Sequence, residues 1–355
     1  MTGPPLDATA PVRPGEELDT AALGVWLERE APDLAGAITV EQFPSGHSNL
    51  TYLLRIGERE VVLRRPPFGT KVQTGHDMGR EHRILSGLHP VWPQAPRPLA
   101  FCDDPAVLGA PFYLMERVAG VILRGPAPAG IDLDVPVMER LSAAFVETFA
   151  GIHSVDLAAA GLDDLGKPEG YVQRQVDGWA RRYSDARTGD VPVLERTIEW
   201  LREHRPPESG ASLIHNDFKY DNLVLDPDDL GTVRAVLDWE MATVGDPLLD
   251  LGTSLAYWVE AGDPPVFQAL AGPTARPGSP TRAELVEAYA AASGREVADP
   301  VFYYVYGLFK VAVIVQQIYY RYHHGHTSDQ RFAALDMMAA MAGEVAQEAI
   351  GRGTV

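Results

Sequence analysis

The sequence predicts an α+β protein of two lobes, an N-terminal antiparallel sheet with one crossing helix followed by a mainly helical second half. Three observations carry this. At 355 residues the chain is long for a single core, so two lobes are expected. Short β-rich runs joined by tight turns fill the stretch up to Val118, and beyond Gly120 apolar residues recur at helical spacing. With 46% hydrophobic and 22% charged residues the composition is that of a globular chain able to bury a core.

The first residues, MTGPPLDATAPVRPGEE, have no apolar segment behind a basic start and read as a short flexible lead-in, not a secretory signal. A helix is expected from Asp19 through Leu23, Trp26 and Leu27, with Asp19 or Thr20 as cap and Pro32 as its end. Ala37 to Phe43, Leu50 to Ile56 and Val61 to Arg65 then read as strands of a meander, the last two joined by Gly57-Glu58. A helix over His76 to Leu88 crosses back, and a Pro-rich passage leads to strands at Leu99 to Phe101 and Phe112 to Val118. The expected division is 1–116 for the N-lobe and 117–355 for the C-lobe. Helical patterns follow at Val135–His153, Gly170–Tyr183, Val193–His204, Pro247–Val259, Thr281–Ala292, Val301–Tyr322 and Asp329–Ile350. Two β-like runs, Leu223–Leu225 and Val233–Leu237, interrupt them around an Asp- and Gly-bearing turn.

That hairpin sits beside the polar residues that carry chemistry. The segment Leu213-Ile214-His215-Asn216-Asp217-Phe218-Lys219-Tyr220-Asp221-Asn222 precedes it, and Asp238 ends its second strand. If the strands pair, Asp217, Asn222 and Asp238 converge on one point. Carboxylate and amide oxygens in that number suit Mg²⁺, which takes few protein ligands and completes its shell with water and phosphate oxygens. Phosphoryl transfer needs a metal, a carboxylate to receive the hydroxyl proton and a cation near the γ-phosphate, for which Lys219 is placed.

The run His215-x-Asp217-x-Lys219-x-x-Asn222, with Asp238 after it, resembles the catalytic loop and metal-binding Asp of the protein-kinase-like fold, in the variant of the aminoglycoside and choline phosphotransferases. The resemblance implies Asp217 as base and Asn222 with Asp238 as metal ligands. It extends through most of the chain. Ser45-Gly46-His47-Ser48-Asn49-Leu50-Thr51-Tyr52 is similar to the nucleotide loop, Val61-Val62-Leu63-Arg64 to the third strand, Arg80-Glu81-His82-Arg83-Ile84-Leu85 to the αC helix and Tyr113-Leu114-Met115-Glu116-Arg117-Val118 to the hinge. These imply Ser48, Asn49, Arg64, Glu81 and the backbone at Glu116 and Val118 as the ATP-binding set. Gly170-Tyr171-Val172-Gln173-Arg174-Gln175, Trp179, Tyr183 and Gln316-Gln317-Ile318-Tyr319 resemble the subgroup fused to acyl-CoA dehydrogenases. Two departures stand out. Arg64 (or Arg65) occupies the place of the strand-three Lys, and Arg's planar fork makes that more than a neutral exchange. The phosphate loop carries the single glycine Gly46.

The remaining signals are weighed against plainer roles. His215 is expected to brace the loop and Asp250 to be a buried carboxylate at a helix start. His323-His324-Gly325-His326 lacks zinc partners at ligand spacing. Arg181, Arg182 and Arg321 are candidates for an anionic substrate group. The apolar run Phe302 to Tyr320 carries Lys310, Gln316 and Gln317 and reads as a buried helix, not a membrane span. With 30 basic against 49 acidic residues the charge of −19 argues against nucleic acid as partner. The single cysteine, Cys102, fits a reducing cytoplasm. The expectation is therefore an ATP- and Mg²⁺-dependent kinase of a small-molecule hydroxyl, with a hydroxyacyl or other anionic acceptor favoured over an aminoglycoside or choline-like amine. Only Trp239 to Gly245 separates Asp238 from the next helix, too short for a protein kinase's activation segment. A non-catalytic nucleotide- or acyl-binding module is the alternative of another class.

Overall fold

The computed structural model describes residues 7–44, 49–68, 77–125, 128, 130–268, 272–327 and 329–355. Ser45, Gly46, His47 and Ser48 of the expected nucleotide loop, and His76 at the expected helix start, lie outside them.

Helix α1 (Thr20–Glu30) begins where the Asp19 carboxylate accepts from the Ala21 and Ala22 N–H groups at 3.1 and 2.9 Å. Its buried face of Leu23, Trp26 and Leu27 covers the sheet, with Trp26 edge-on to Phe112 at 5.0 Å. Strands β1 (Ile38–Gln42), β2 (Leu50–Ile56) and β3 (Arg59–Arg65) form the meander, closed at Gly57-Glu58 with Gly57 at φ +61°. Helix α2 (Met78–Leu88) crosses back, capped by Asp77, and β4 (Pro98–Cys102), a short α3 (Pro105–Leu108) and β5 (Phe112–Glu116) complete an antiparallel sheet of order β1-β2-β3-β5-β4. β5 stops at Glu116, short of the expected Val118, because its pairing with β3 ends at Val61 opposite Glu116 and the chain leaves for the second lobe.

The described part of the lead-in, from Asp7 onward, is more ordered than expected. Ala10 exchanges both backbone hydrogen bonds with Gln42 at 2.8 Å, and the Tyr52 hydroxyl donates to the Glu16 carbonyl at 2.7 Å. β1 is an edge strand, and this segment covers part of its open hydrogen-bonding rim.

The second half holds α4 (Val135–His153), α5 (Leu157–Ala160), α6 (Tyr171–Asp185) and α7 (Pro192–Glu203), followed by β6 (Ser212–Ile214), β7 (Leu223–Leu225), β8 (Val233–Val236) and β9 (Thr243–Gly245). Then come α8 (Pro247–Tyr257), α9 (Pro265–Gln268), α10 (Arg282–Ser293), α11 (Pro300–His323) and α12 (Leu335–Arg352). The expected β7–β8 hairpin forms, Leu223 opposite Val236. The β6–β9 pair was not anticipated, since three residues per strand are too few for alternation to register. α12 starts later than the pattern suggested because Asp329 caps its own single turn, accepting from Arg331 N at 3.0 Å, before Leu335 opens the helix.

Among the described residues α11 is the one helix long and apolar enough to cross a membrane, and 72% of its most apolar window is buried inside the protein. It packs against α8 on one side and α12 on the other. The α8 crossing is so close that a Cβ on Gly252 would lie 2.0 Å from the Tyr303 carbonyl oxygen, and one on Gly307 1.9 Å from that of Gly252. Gly307→Ala is therefore expected to lower the free energy of urea unfolding by about 2 kcal/mol or more, since backbone must move. Gly351→Ala, with nothing within 4 Å of the added carbon, should leave it unchanged or raise it by up to about 1 kcal/mol.

Candidate active site

The site is built on the backbone that leaves β6. The Asp250 carboxylate in the first turn of α8 is fully buried and accepts from His215 N at 2.6 Å and Asn216 N at 2.8 Å. Behind it His153 Nε2 lies 3.2 Å from Asp250, while His153 Nδ1 lies 2.7 Å from the Tyr289 hydroxyl. Burial pushes His153 down and keeps it neutral, so its one ring N–H goes to Asp250 and its other nitrogen accepts from Tyr289. Burial opposes ionisation of Asp250 most strongly, but the His153 hydrogen bond and the surrounding positive field, Lys310 included, together outweigh it and hold the carboxyl below its ordinary value. His215 acts as a brace: Asp217 N donates to its Nδ1 at 3.3 Å and its Nε2–H donates to the Leu237 carbonyl at 2.9 Å. Asn216 is left-handed at φ +67°, with its amide donating to the Met241 carbonyl at 3.1 Å.

Asp217 emerges from this clamp. Its Oδ1 accepts from Lys219 Nζ at 2.9 Å and its Oδ2 from Asn222 Nδ2 at 3.0 Å. Burial opposes the Lys219 charge and Asp217 more than restores it, so the ammonium is held above its ordinary value. The β7–β8 register, extended by Leu237 N donating to the Asn222 carbonyl at 2.8 Å, brings Asn222 alongside the residue before Asp238. With its NH₂ turned to Asp217, the Asn222 side chain keeps its carbonyl oxygen for another partner. Asp238 is also left-handed at φ +67°, and the field of Lys219 reaches it as well as Asp217.

Arg64 closes the site from the sheet. Its Nη1 pairs with Glu81 of α2, while its Nη2 reaches Asp238 at 2.9 Å and Glu240 at 3.4 Å. Asn49 donates to the same Glu240 carboxylate at 2.6 Å. Of the two arginines left open by the sequence, Arg64 takes this position, since Arg65 turns away to the carbonyls of Pro66 and Leu108. Burial works against Asp238 ionising, and the Arg64 guanidinium overrides it and keeps the carboxyl low. For the more deeply buried Glu81, burial dominates and raises the pKa even beside Arg64.

The remaining expected nucleotide contacts lie along the crossing between lobes. Glu116 commits its N–H to the Arg97 carbonyl at 2.9 Å. Val118 packs with Leu237 against Ile122, Val224 and Ala235, a small apolar floor between β5 and the hairpin. A cavity of about 290 Å³ reaches Lys219 of the loop, walled largely by apolar side chains such as Phe145, Val259, Phe267, Leu308 and Ile314, with Lys219, Asp221 and Tyr257 on its lining. Burial and the Asp217 charge push the Tyr257 phenol well above its ordinary value, and Lys219 Nζ sits 4.6 Å from its ring centre. Arg181, Arg182 and Arg321 are exposed, Arg182 resting over the Trp179 ring. Sequence reasoning missed Glu240, Tyr257 and the positioning of Lys310; the one signal available was a lysine inside an apolar helix.

A two-lobed fold with a loop carboxylate, a hairpin amide and a second carboxylate facing a sheet-borne cation defines the class of kinase-like phosphotransferases. The profile of the phosphotransferase enzyme family matches residues 39–299, and the chain belongs to that family. A candidate aminoglycoside phosphotransferase from Ralstonia eutropha JMP134, solved as a crystal structure, superposes with a TM-score of 0.79 at 32% identity, covering 94% of this chain and 99% of that one. Macrolide 2'-phosphotransferase type I shares the fold at a TM-score of 0.58 and 20% identity over 93% of this chain and 98% of its own. Acyl-CoA dehydrogenase family member 10 of Mus musculus is 36% identical over 323 residues, 90% of this chain and 30% of that protein. Member 11 of Gallus gallus is 34% identical over 90% of this chain and 42% of its own length, so the chain spans less than half of these relatives.

Arg64→Met should lower the unfolding free energy by about 3–5 kcal/mol, because it strands buried carboxylates, and adding Glu81→Leu should recover part of that loss in the same urea titration. Asp250 is depressed from 3.8, so its contribution to stability is complete above that pH and disappears as pH falls through its lower folded value. An Asp250→Asn chain should lack that acid limb when unfolding midpoints are compared across the range.

Proposed function

We propose that the chain is an ATP- and Mg²⁺-dependent kinase that phosphorylates a hydroxyl of a small acceptor with an apolar body and an anionic group, of the hydroxyacyl kind. The observation that carries the phosphotransfer reading is the Asp217 carboxylate held between Lys219 and Asn222 beside Asp238. In this reading the acceptor oxygen attacks the γ-phosphorus, its proton passes to Asp217, and the bond to the departing ADP breaks. Lys219 stays charged and offsets negative charge at the transferring phosphoryl group. The Asn222 carbonyl oxygen and the Asp238 carboxylate are hard oxygen donors that fit Mg²⁺, which when bound would neutralise phosphate charge. Arg64 and Glu240 would hold Asp238 and Asn49 in place, and the apolar floor around Val118 would receive a flat base. Solved relatives in complex with AMP-PNP, ADP or GDP support nucleotide use.

The cavity supports the choice of acceptor. Aminoglycosides are polycations and want carboxylates around them, whereas among the described residues Asp221 is the one carboxylate in a lining of mainly aliphatic and aromatic side chains. An apolar body matches that wall, and a single carboxylate on the described lining leaves little repulsion against an anionic group.

Asp217→Ala is expected to keep the ATP–Mg²⁺ melting shift, which grows as RT ln(1 + [L]/Kd), and to lose ADP release by about 10²-fold or more. Equal turnover in that variant would remove Asp217 as the base. A panel of hydroxyacyl compounds, aminoglycosides and choline assayed for ADP release tests the acceptor. Preference for kanamycin or choline would overturn that part, and a melting shift without turnover on any acceptor would leave a nucleotide-binding module.

A further inference from the structure

Lys310 is a cation only 1% exposed, inside the one helix among the described residues that is long and apolar enough to cross a membrane. Removing an ammonium from water costs several kcal/mol even after relaxation, so an apolar side chain of similar volume would suit this place better on stability grounds alone. Burial pushes its pKa down to about 8, resisted by Asp250 and Asp217 and reinforced by Lys219 and Arg182. What the ammonium touches is the loop that carries Asp217. It donates to the Asn216 carbonyl at 2.8 Å and lies 3.3 Å from Thr253 Oγ1.

The carbonyl of Asn216 belongs to the peptide that leads into Asp217, and the Asn216 N–H is held by Asp250 at 2.8 Å. Residue 216 is thus gripped on both sides, by a carboxylate from α8 and an ammonium from α11. The grip adds to what residue type allows: a left-handed φ of +67° is disfavoured by ~1–2 kcal/mol at most residues with a Cβ, and Asn is among the few that tolerate it as single residues. The helix crossing supplies the reach. Gly252 and Gly307 let the two backbones touch, and Thr253 and Lys310 follow them in sequence, directly beneath the loop.

We propose that Lys310 is a positioning residue for phosphotransfer: its ammonium pins the Asn216 carbonyl, keeps residue 216 left-handed and so sets the direction in which Asp217 faces the acceptor. This rests on the reading of Asp217 as the base. The test is a double-mutant cycle in the full chain, Lys310→Met with Asn216→Gly. ADP release is measured at saturating Mg-ATP with the acceptor from the panel, or with water as acceptor, and a crystal structure of the Lys310→Met chain is solved alongside.

Lys310→Met is expected to lower kcat by about tenfold or more, with KM for ATP unchanged within about twofold, and to release residue 216 from positive φ. In the Asn216→Gly background, where glycine takes that conformation without steric cost, the same substitution should lower kcat by less than about threefold. An equal loss in both backgrounds, an unchanged kcat, or a Lys310→Met structure with residue 216 still left-handed and Asp217 unmoved would each overturn the proposal. Should Lys310→Met fail to fold, Lys310→Gln, which keeps an uncharged donor, enters the same cycle, and equal losses there overturn it too. If the parent chain releases no ADP with any acceptor or with water, the base assignment falls, while φ at residue 216 in the variant structure still decides the clamp.

Discussion

The geometry of the site depends on one buried charge. Asp250 accepts from two successive backbone N–H groups, those of His215 and Asn216, and without it both donors would be buried and unpaired at a cost of about 1–3 kcal/mol each. Its position is fixed in turn by the start of α8, where Asp246 caps Leu248 N at 2.9 Å and ties down Ser209 N at 2.7 Å. A first-turn carboxylate also lies where the helix dipole favours negative charge. The loop therefore takes its shape from the helix packed beneath it, and Asp217 inherits its orientation from that shape.

The two lobes are joined at the site by a second charged cluster with a different geometry. A lysine in place of Arg64 would present one nitrogen. The guanidinium presents two at a fixed angle, so one end serves Glu81 of α2 and the other Asp238 and Glu240 of the second lobe. Arginine here links the sheet, the crossing helix and the hairpin through one rigid group. Asn49, within the expected nucleotide loop, adds a second link to Glu240.

Much of this was legible in the residues themselves. The β-rich runs of β1 to β3, the Gly57-Glu58 turn and the cap at Asp19 are local signals, and each appears where the residues ask for it. The spacing of Asp217, Asn222 and Asp238 around a hairpin implied a common site before any contact was visible. Strands β6 and β9 were not legible, because three-residue strands owe their existence to a partner far along the chain. The described part of the N-terminal segment was misjudged for the same reason, since what orders it around Ala10 is the open rim of β1.

The site residues divide along the same line. Residue type and spacing along the chain determined the fold class, the loop and the hairpin, and the family resemblance pointed to the pair of arginines as counterpart of the strand-three lysine. Tertiary structure alone decided that Arg64 and not Arg65 turns inward, that Glu240 joins the cluster, that Tyr257 borders an apolar cavity and that Lys310 lies under Asn216. The physical reason is range. Hydrogen bonding in turns and side-chain periodicity act over a few residues, whereas a partner such as Lys310 for Asn216 is fixed by the packing of α8 against α11, which exists only once the whole chain has folded.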